Sequence, residues 1–320
     1  MLAELQRSPF LDDLTPADRS VGRILLTFPI GAIAAGLAAL IAGALVSVTF
    51  GLLAGGADQA EALLKMINMA VTGGPQPTSL TQILFTIALL AATNGGVVLA
   101  FVGVAAVLHH RRLRSYFTAA PRFRWRLMLL GVGLFVVTVG PLLALSALLD
   151  AKHPATAPVL TVSQTLGGRA LYVVASTALL LAAAAAEELL FRGWMVKVLG
   201  AFTREPLLLI VLSGLLFSLI HLDPNLDAFL VRMAMGFGLA WMALRLGGIE
   251  FAIGAHAANN IVILLFIQPM ALTPEPPHAF TPETLVVAPL MLATYVGLAE
   301  LAARWEPLRR WAGVRAVAAA

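Results

Sequence analysis

The chain has 320 residues, of which 60% are hydrophobic and only 12% are charged, with a formal net charge of +4. A soluble domain carries about 25% charged residues and could not hide so much apolar side chain from water. Together with a mean hydropathy of +0.91, this composition excludes a soluble enzyme, a disordered chain and a nucleic-acid-binding module. It indicates a polytopic helical membrane protein. Cysteine is absent, which excludes disulfides, a thiol nucleophile and zinc bound by cysteine.

The first 21 residues are polar and lack the basic start and short apolar stretch of a signal peptide. Thr15 followed by Pro16 is typical of a helix N-terminus, with the threonine as cap and the proline at the first helical position. We therefore expect a short surface helix ahead of the first membrane span.

Eight later segments are predicted to cross the membrane. A crossing helix needs about 20 mainly apolar residues, and these segments meet that length or come close to it. They predict an all-α integral membrane bundle of about eight transmembrane helices. In chain order the segments are Ile24–Gly56, Leu80–Leu108, Leu127–Leu149, Ala170–Phe202, Pro206–Leu222, Asp227–Leu246, Ile249–Met270 and Thr284–Ala299.

The lysines and arginines of the loops predict the orientation, because cytoplasmic loops carry an excess of both. If the spans alternate and the N-terminus is inside, 17 of the 21 basic residues lie inside, and 3 lie outside, namely Lys65, Lys152 and Arg169. Arg232 falls within a span. Both termini are therefore expected in the cytoplasm, with the chain in the plasma (inner) membrane.

The loop at 109–126 is the most basic, with six arginines interleaved with aromatic residues. We interpret these arginines as facing anionic lipid and not nucleic acid. His109 and His110, which precede them, are expected in solvent.

Three of the predicted spans contain ionisable or amide side chains. An ionisable residue inside a span costs about 2.5–3.5 kcal/mol on insertion scales and normally faces the protein interior or a wet cavity. Residues four apart lie on one helix face, which groups most of these side chains in pairs. The pairs are Glu188 with Arg192 in the fourth span, next to Glu187; Phe217 with His221 in the fifth; and His256 with Asn260 in the seventh, next to Asn259.

The depths of these groups also agree. The fourth and fifth spans form a predicted hairpin with a turn near Arg204. Glu187 precedes this turn by 17 residues and His221 follows it by 17. At about 1.5 Å per residue, both lie about 25 Å from the turn along their helices, so they can lie level with each other.

These residue types are the components of a hydrolytic site. A carboxylate and a neutral imidazole can hold and deprotonate one water molecule. We therefore assign Glu187 as general base, with His221 as its partner on the water. Glu188 and Arg192 would form an ion pair that orients the site.

A second imidazole and an amide can donate hydrogen bonds to the oxyanion that forms when water attacks a carbonyl. We assign this role to His256 and Asn260. Asn259 is the alternative to Asn260, although it lies three residues from His256 and not four.

The three motifs, in this order and each in a hydrophobic span, resemble those of the CPBP family. This family comprises the type II CAAX prenyl proteases and their bacterial relatives, and it is also called the Abi family. As they stand in this sequence, the motifs are Glu187-Glu188-x-x-x-Arg192, Phe217-x-x-x-His221 and His256-x-x-x-Asn260.

The resemblance covers residues 169–268 and implies an intramembrane endopeptidase, with a cavity that opens to the membrane or the cytoplasm. In the family the first glutamate and the middle histidine are taken to activate water, which matches Glu187 and His221. The remaining chain is predicted to form an N-terminal region at 1–168, with the surface helix and three spans, and a C-terminal region at 269–320, with the last span and a basic tail.

Several alternatives stay open. Glu187, His221 and His256 could supply three zinc ligands, although the sequence requires no cofactor. The expected partner is a peptide or membrane-protein substrate in the lipid bilayer; its prenylation and the oligomeric state are not predicted. The rival functions are a proton-coupled transporter and a non-catalytic membrane scaffold or immunity-type protein. In the plainest alternative, the ion pair only holds helices together.

Overall fold

The computed structural model describes residues 1–53, 61, 79–142, 156–269 and 276–314. Within these residues the chain is helical and forms no strand. The helices are α1 (Leu2–Gln6), α2 (Val21–Leu53), α3 (Leu80–Leu108), α4 (Trp125–Thr138), α5 (Pro158–Thr161), α6 (Leu166–Glu188), α7 (Val196–Gly200), α8 (Pro206–Leu219), α9 (Leu226–Leu246), α10 (Glu250–Val262), α11 (Thr284–Arg304) and α12 (Glu306–Trp311). Two π-helical segments, Leu189–Met195 and Ile263–Ile267, follow α6 and α10.

Seven helices of the described chain are long and apolar enough to cross a membrane. This confirms an all-α polytopic bundle with about the predicted number of spans. The predicted fifth span is the exception, because α8 has only 14 residues and ends at Leu219. Parts of the first, third and seventh predicted spans, at 54–56, 143–149 and 270, lie outside the described residues.

The helix α10 lies at the centre of the bundle. It packs against α4, α6 and α9, and every residue from Glu250 to Asn259 is buried. By contrast α2 packs mainly on α3 and leaves large apolar side chains such as Leu37 and Leu40 exposed. In a membrane protein such a surface faces lipid. The third predicted motif therefore lies on the most buried of the membrane-crossing helices that the structure describes.

Glycine permits the close approach of α4 and α10. A Cβ atom added at Gly254 would overlap the carbonyl oxygen of Met128, and one added at Gly131 would overlap that of Phe251. Backbone contact of this kind is typical of membrane helices, which associate through small residues. The contact fixes the position of α10, which carries His256.

The N-terminal segment forms a short helix where predicted, a 3₁₀ turn that Thr15 caps and Pro16 begins, but the segment does not lie on the surface. Its short helices, α1 and two 3₁₀ turns at Pro9–Leu11 and Pro16–Arg19, insert apolar side chains under the bundle. Leu5, Phe10 and Leu11 are at most 1% exposed, and Leu5 and Leu11 pack with residues of α7, α8 and α9. The predicted surface location was wrong, because these few apolar residues form no helical stripe in the sequence that would indicate their burial.

A buried ionic cluster joins this segment to the basic loop. Arg111 donates to Asp18 at 2.9 Å, and Lys197 donates to Asp13 at 2.6 Å. His109 is 3% exposed, and its Nδ1 lies 3.2 Å from the carbonyl oxygen of Ala17. The expectation that His109 lies in solvent was therefore wrong.

The segments with many basic residues gather at one end of the bundle. Arg204, after α7, donates to the carbonyl oxygen of Leu11 at 2.9 Å. Arg245, at the end of α9, donates to Glu300 of α11 at 2.9 Å. The loops predicted to share one side thus contact each other, whereas the side of the membrane that they face stays a prediction.

We predict that Gly254→Ala destabilises the protein, because the new methyl group pushes α10 away from α4. Overpacking of this kind costs about 1–3 kcal/mol. The matched control is Gly103→Ala on α3, where a Cβ atom meets nothing within 4 Å. Thermal unfolding in detergent measures both variants, and equal melting temperatures would show that α4 and α10 are not in backbone contact.

We also predict an acid-sensitive stability that depends on His109. Burial is the largest influence and lowers the pKa of His109 below its ordinary value, with Arg23 and Arg111 acting in the same direction and Asp18 against it. Below about pH 6.5, His109 therefore binds a proton in the unfolded chain but not in the folded chain. The free energy of unfolding thus decreases as the pH falls. The melting temperature of His109→Gln should decrease less than that of the parent between pH 7.5 and pH 5. Identical decreases would contradict this.

Candidate active site

Two helices from distant parts of the sequence meet at one carboxylate oxygen. Oε1 of Glu188, the last residue of α6, accepts hydrogen bonds from Nη1 of Arg192 at 2.7 Å and from Nδ1 of His256 at 2.8 Å. Since a carboxylate only accepts, Nδ1 of His256 carries a proton. The other ring nitrogen, Nε2, then faces Glu187, whose Oε2 lies 3.7 Å away.

The two glutamates have different surroundings. The side chain of Glu188 is completely buried, whereas that of Glu187 is 25% exposed. Glu188 therefore has its charge compensated inside the protein, while Glu187 reaches open space beside the buried cluster. Adjacent residues on a helix point in directions about 100° apart, which accounts for the difference.

A π-helical turn follows Glu188 and contains Arg192. Such turns are frequent at functional sites. Besides its bond to Glu188, Arg192 donates through Nη2 to the carbonyl oxygen of Gly236 on α9 at 3.2 Å, and its Cζ lies 4.4 Å from the centre of the Phe217 ring. The guanidinium group thus connects three helices at a depth without solvent.

His221 lies in the turn after α8 and is half-buried. Its Nδ1 donates to the carbonyl oxygen of Phe217 at 2.7 Å, so its Nε2 is free to accept. The ring of Phe217 packs against both imidazoles, with centroids 4.9 Å from His221 and 5.8 Å from His256.

The asparagines lie one turn farther along α10. Asn260 is half-buried, and its Oδ1 accepts a hydrogen bond from Nδ2 of Asn259 at 3.1 Å. Among the described residues, none accepts a hydrogen bond from Nδ2 of Asn260. The structure thus brings Glu187, Glu188, Arg192 and His256 together directly, with His221 beside them and Asn260 on the same helix as His256.

Tyr295 on α11 is a neighbour of the site that the motifs do not include. Its side chain is 1% exposed, and it belongs to the same buried cluster as Phe191 and Phe217, the two rings next to the guanidinium group of Arg192. Its hydroxyl, Oε2 of Glu188 and Nε of Arg192 are buried without a partner among the described residues. A single tyrosine in an apolar span gives no spacing signal, so the sequence could not identify it.

The described residues include no cluster of three or more histidine, aspartate or glutamate side chains that could hold a metal ion. Nδ1 of His256 donates to Glu188, as the second ring nitrogen of a metal-ligating histidine usually does to a carboxylate, and its Nε2 lies 3.7 Å from Oε2 of Glu187. No step proposed below uses a metal. The zinc alternative stays a prediction that metal analysis of the purified protein tests.

Comparison with known proteins supports the resemblance carried by the motifs. Residues 169–262 match the family model described as type II CAAX prenyl endopeptidase Rce1-like. A Bacillus subtilis (strain 168) protein named "Uncharacterized protein YyaK" is 27% identical over 164 residues, which are 49% of this chain and 53% of that protein. The chain therefore matches about half the length of this relative. No solved structure matches the chain. The matched segment at 169–262 carries all three motifs, so the match supports the resemblance of this segment to the CPBP family of CAAX-type proteases.

Proposed function

We propose that the protein is an intramembrane endopeptidase that hydrolyses a peptide bond with water activated by Glu187. The observation that carries the proposal is the geometry around His256. Glu188 holds its Nδ1 at 2.8 Å, and Nε2 faces the partly exposed Glu187 at 3.7 Å. A buried carboxylate that fixes the tautomer and direction of a histidine is a recurrent feature of hydrolytic sites.

In the first step Glu187 takes a proton from a water molecule while the water oxygen bonds to the carbonyl carbon of the substrate. His221 presents Nε2 as an acceptor that orients the same water, because its Nδ1 is held by the Phe217 carbonyl at 2.7 Å. A base positioned in this way accelerates the reaction by about 10²- to 10⁴-fold.

In the second step the oxyanion of the tetrahedral intermediate accepts hydrogen bonds from Asn260 Nδ2 and from His256 Nε2 when that nitrogen is protonated. Such donors act strongly where water is excluded. As the carbon–nitrogen bond breaks, Glu187 returns its proton to the leaving amine. The products are a carboxyl-terminal and an amino-terminal fragment, and no acyl-enzyme forms.

The ion pair of Glu188 and Arg192 positions this machinery. A purely structural ion pair needs one acid and one base, and Glu188 with Arg192, four residues apart in one span, satisfies that need at 2.7 Å. Glu187 adds a second carboxylate that the pair does not neutralise. Its partial exposure and its contact with His256 favour a chemical role over a purely structural one.

The substrate class follows from the location of the site. The motifs lie on helices that are long and apolar enough to cross a membrane, apart from the shorter α8. A peptide or membrane-protein segment that enters the bilayer is therefore the proposed substrate, and the prenyl group found on CAAX substrates is not required by any contact described above.

We predict that Glu187→Gln lowers cleavage by about 10²-fold or more, because the amide cannot accept the proton of water. The parent, the variant and the surface control Glu306→Gln are reconstituted in liposomes with a mixture of membrane-protein peptides, and new peptide ends are counted by mass spectrometry. Glu306 is 56% exposed, so its variant should cleave like the parent. Full cleavage by Glu187→Gln, or ion-dependent uptake with no cleavage by the parent, would refute the mechanism.

We further predict that removing both members of the ion pair affects thermal stability and cleavage differently. Glu188→Met alone leaves Arg192 charged and unpaired in the protein interior, which costs about 3–5 kcal/mol. Adding Arg192→Met removes that charge and should restore most of the thermal stability. Cleavage should stay low in the double variant, because His256 has lost the acceptor for Nδ1. A stable double variant that cleaves like the parent would show that the ion pair has only a structural role and does not position His256 for cleavage.

A further inference from the structure

A cavity lies at the basic end of the bundle, and none of the motif residues lines it. It has a volume of about 670 Å³ and opens between the N-terminal segment, the loop at 119–124, the C-terminus of α9 and the residues after α12. This volume is within the range of small-molecule sites, about 300–1,000 Å³. Four arginines line it, and none of the described lining residues is acidic: Arg7, Arg122, Arg124 and Arg245.

Two of these arginines already have partners. Arg124 donates to both carboxylate oxygens of the buried Glu250, at 2.9 and 2.7 Å, and Arg245 donates to Glu300 at 2.9 Å. Arg7 and Arg122 are exposed and form no ion pair or side-chain hydrogen bond with the described residues. The cavity therefore has two uncompensated positive charges at its edge, and these favour an anionic ligand.

The remaining wall is mainly apolar. Its side chains include Pro9, Pro121, Phe123, Leu246 and Val314. A small hydrated anion gains nothing from such a wall, whereas the apolar part of an amphiphile does. The combination of two uncompensated arginines with an apolar wall indicates a ligand with an anionic group and an apolar body.

Aromatic residues around the cavity indicate its level in the membrane. Trp125, whose ring lies 4.6 Å from that of Phe123, is 64% exposed, and Trp311 is 47% exposed. The guanidinium carbon of Arg126 lies 5.9 Å from the Trp311 ring. Exposed tryptophans and arginines together are typical of the membrane–water interface, where lipid headgroups lie.

From this arrangement we infer that the cavity is a binding site for one anionic phospholipid. The headgroup phosphate lies between Arg7 and Arg122, and the glycerol and upper acyl chain contact Phe123 and Val314. The site narrows the sequence-based expectation that all six arginines of 109–126 face lipid, because Arg111 and Arg124 are occupied by acidic partners.

The test measures lipid binding to the full chain in neutral detergent by native mass spectrometry. Phosphatidylglycerol should bind more tightly than phosphatidylcholine to the parent. The double variant Arg7→Gln with Arg122→Gln should weaken phosphatidylglycerol binding by about tenfold or more. The matched control, Arg112→Gln with Arg309→Gln, removes two other arginines of the basic end that lack a described partner, and its dissociation constant should stay within about twofold.

Three results would each overturn the inference. Equal weakening in both double variants would indicate general attraction to the basic end. Equal binding of phosphatidylcholine by the parent would show that the arginines do not read the headgroup charge. Binding of glycerol 3-phosphate as tight as that of the lipid would assign the site to a free phosphate ester. The parent measurements stand even if a variant is unstable, and they do not depend on peptidase activity.

Discussion

The carboxylate oxygen of Glu188 that accepts from both Arg192 and His256 is the contact on which the arrangement of the site depends. Because the three side chains are at most 3% exposed, no water replaces a lost partner, and a missing bond would cost about 1–3 kcal/mol or more for a charged group. The contact therefore fixes the relative height and rotation of α6 and α10 within the bundle. A one-residue slip of either helix would break the hydrogen bond between Glu188 and His256, whereas Glu188 and Arg192, four residues apart in one span, would move together.

Backbone packing sustains this contact from outside the motifs. Gly131 and Gly254 hold α10 against α4, and the Gly236 carbonyl on α9 accepts from Arg192 at 3.2 Å. Polar side chains in a membrane protein gain little by association alone, since the unfolded chain in the bilayer also finds partners. Close backbone packing therefore supplies the rigidity, and the ion pair with His256 supplies the specificity of orientation.

The sequence predicts what depends on composition and on spacing within one helix. It identifies the seven long spans of the described chain, the pairing of Glu188 with Arg192 and the set of three motifs, because four-residue spacing and apolar length are local properties. It pairs Glu187 with His221 and does not predict the ion-pair distance of 3.7 Å between Glu187 and His256, since contacts between helices depend on the rotation of each helix. The π-helical turn after Glu188 is also invisible, because the four-residue spacing to Arg192 reads as an ordinary helix.

The short α8 explains how His221 reaches the site. With 14 residues, this helix is about 21 Å long, less than the roughly 30 Å of a bilayer core. Its first residue, Pro206, follows Arg204 at the basic end, so its last turn stops short of the opposite surface. Non-helical backbone at that depth is tolerated only inside protein or beside a wet cavity. The chain satisfies this condition locally, since Asp223 accepts from the backbone N–H of Asn225 at 2.9 Å and from Arg232 at 2.8 Å. Because α8 is too short to cross the bilayer, the polar turn that follows it lies within the bundle. This turn carries His221 and places its imidazole near the level of Glu187.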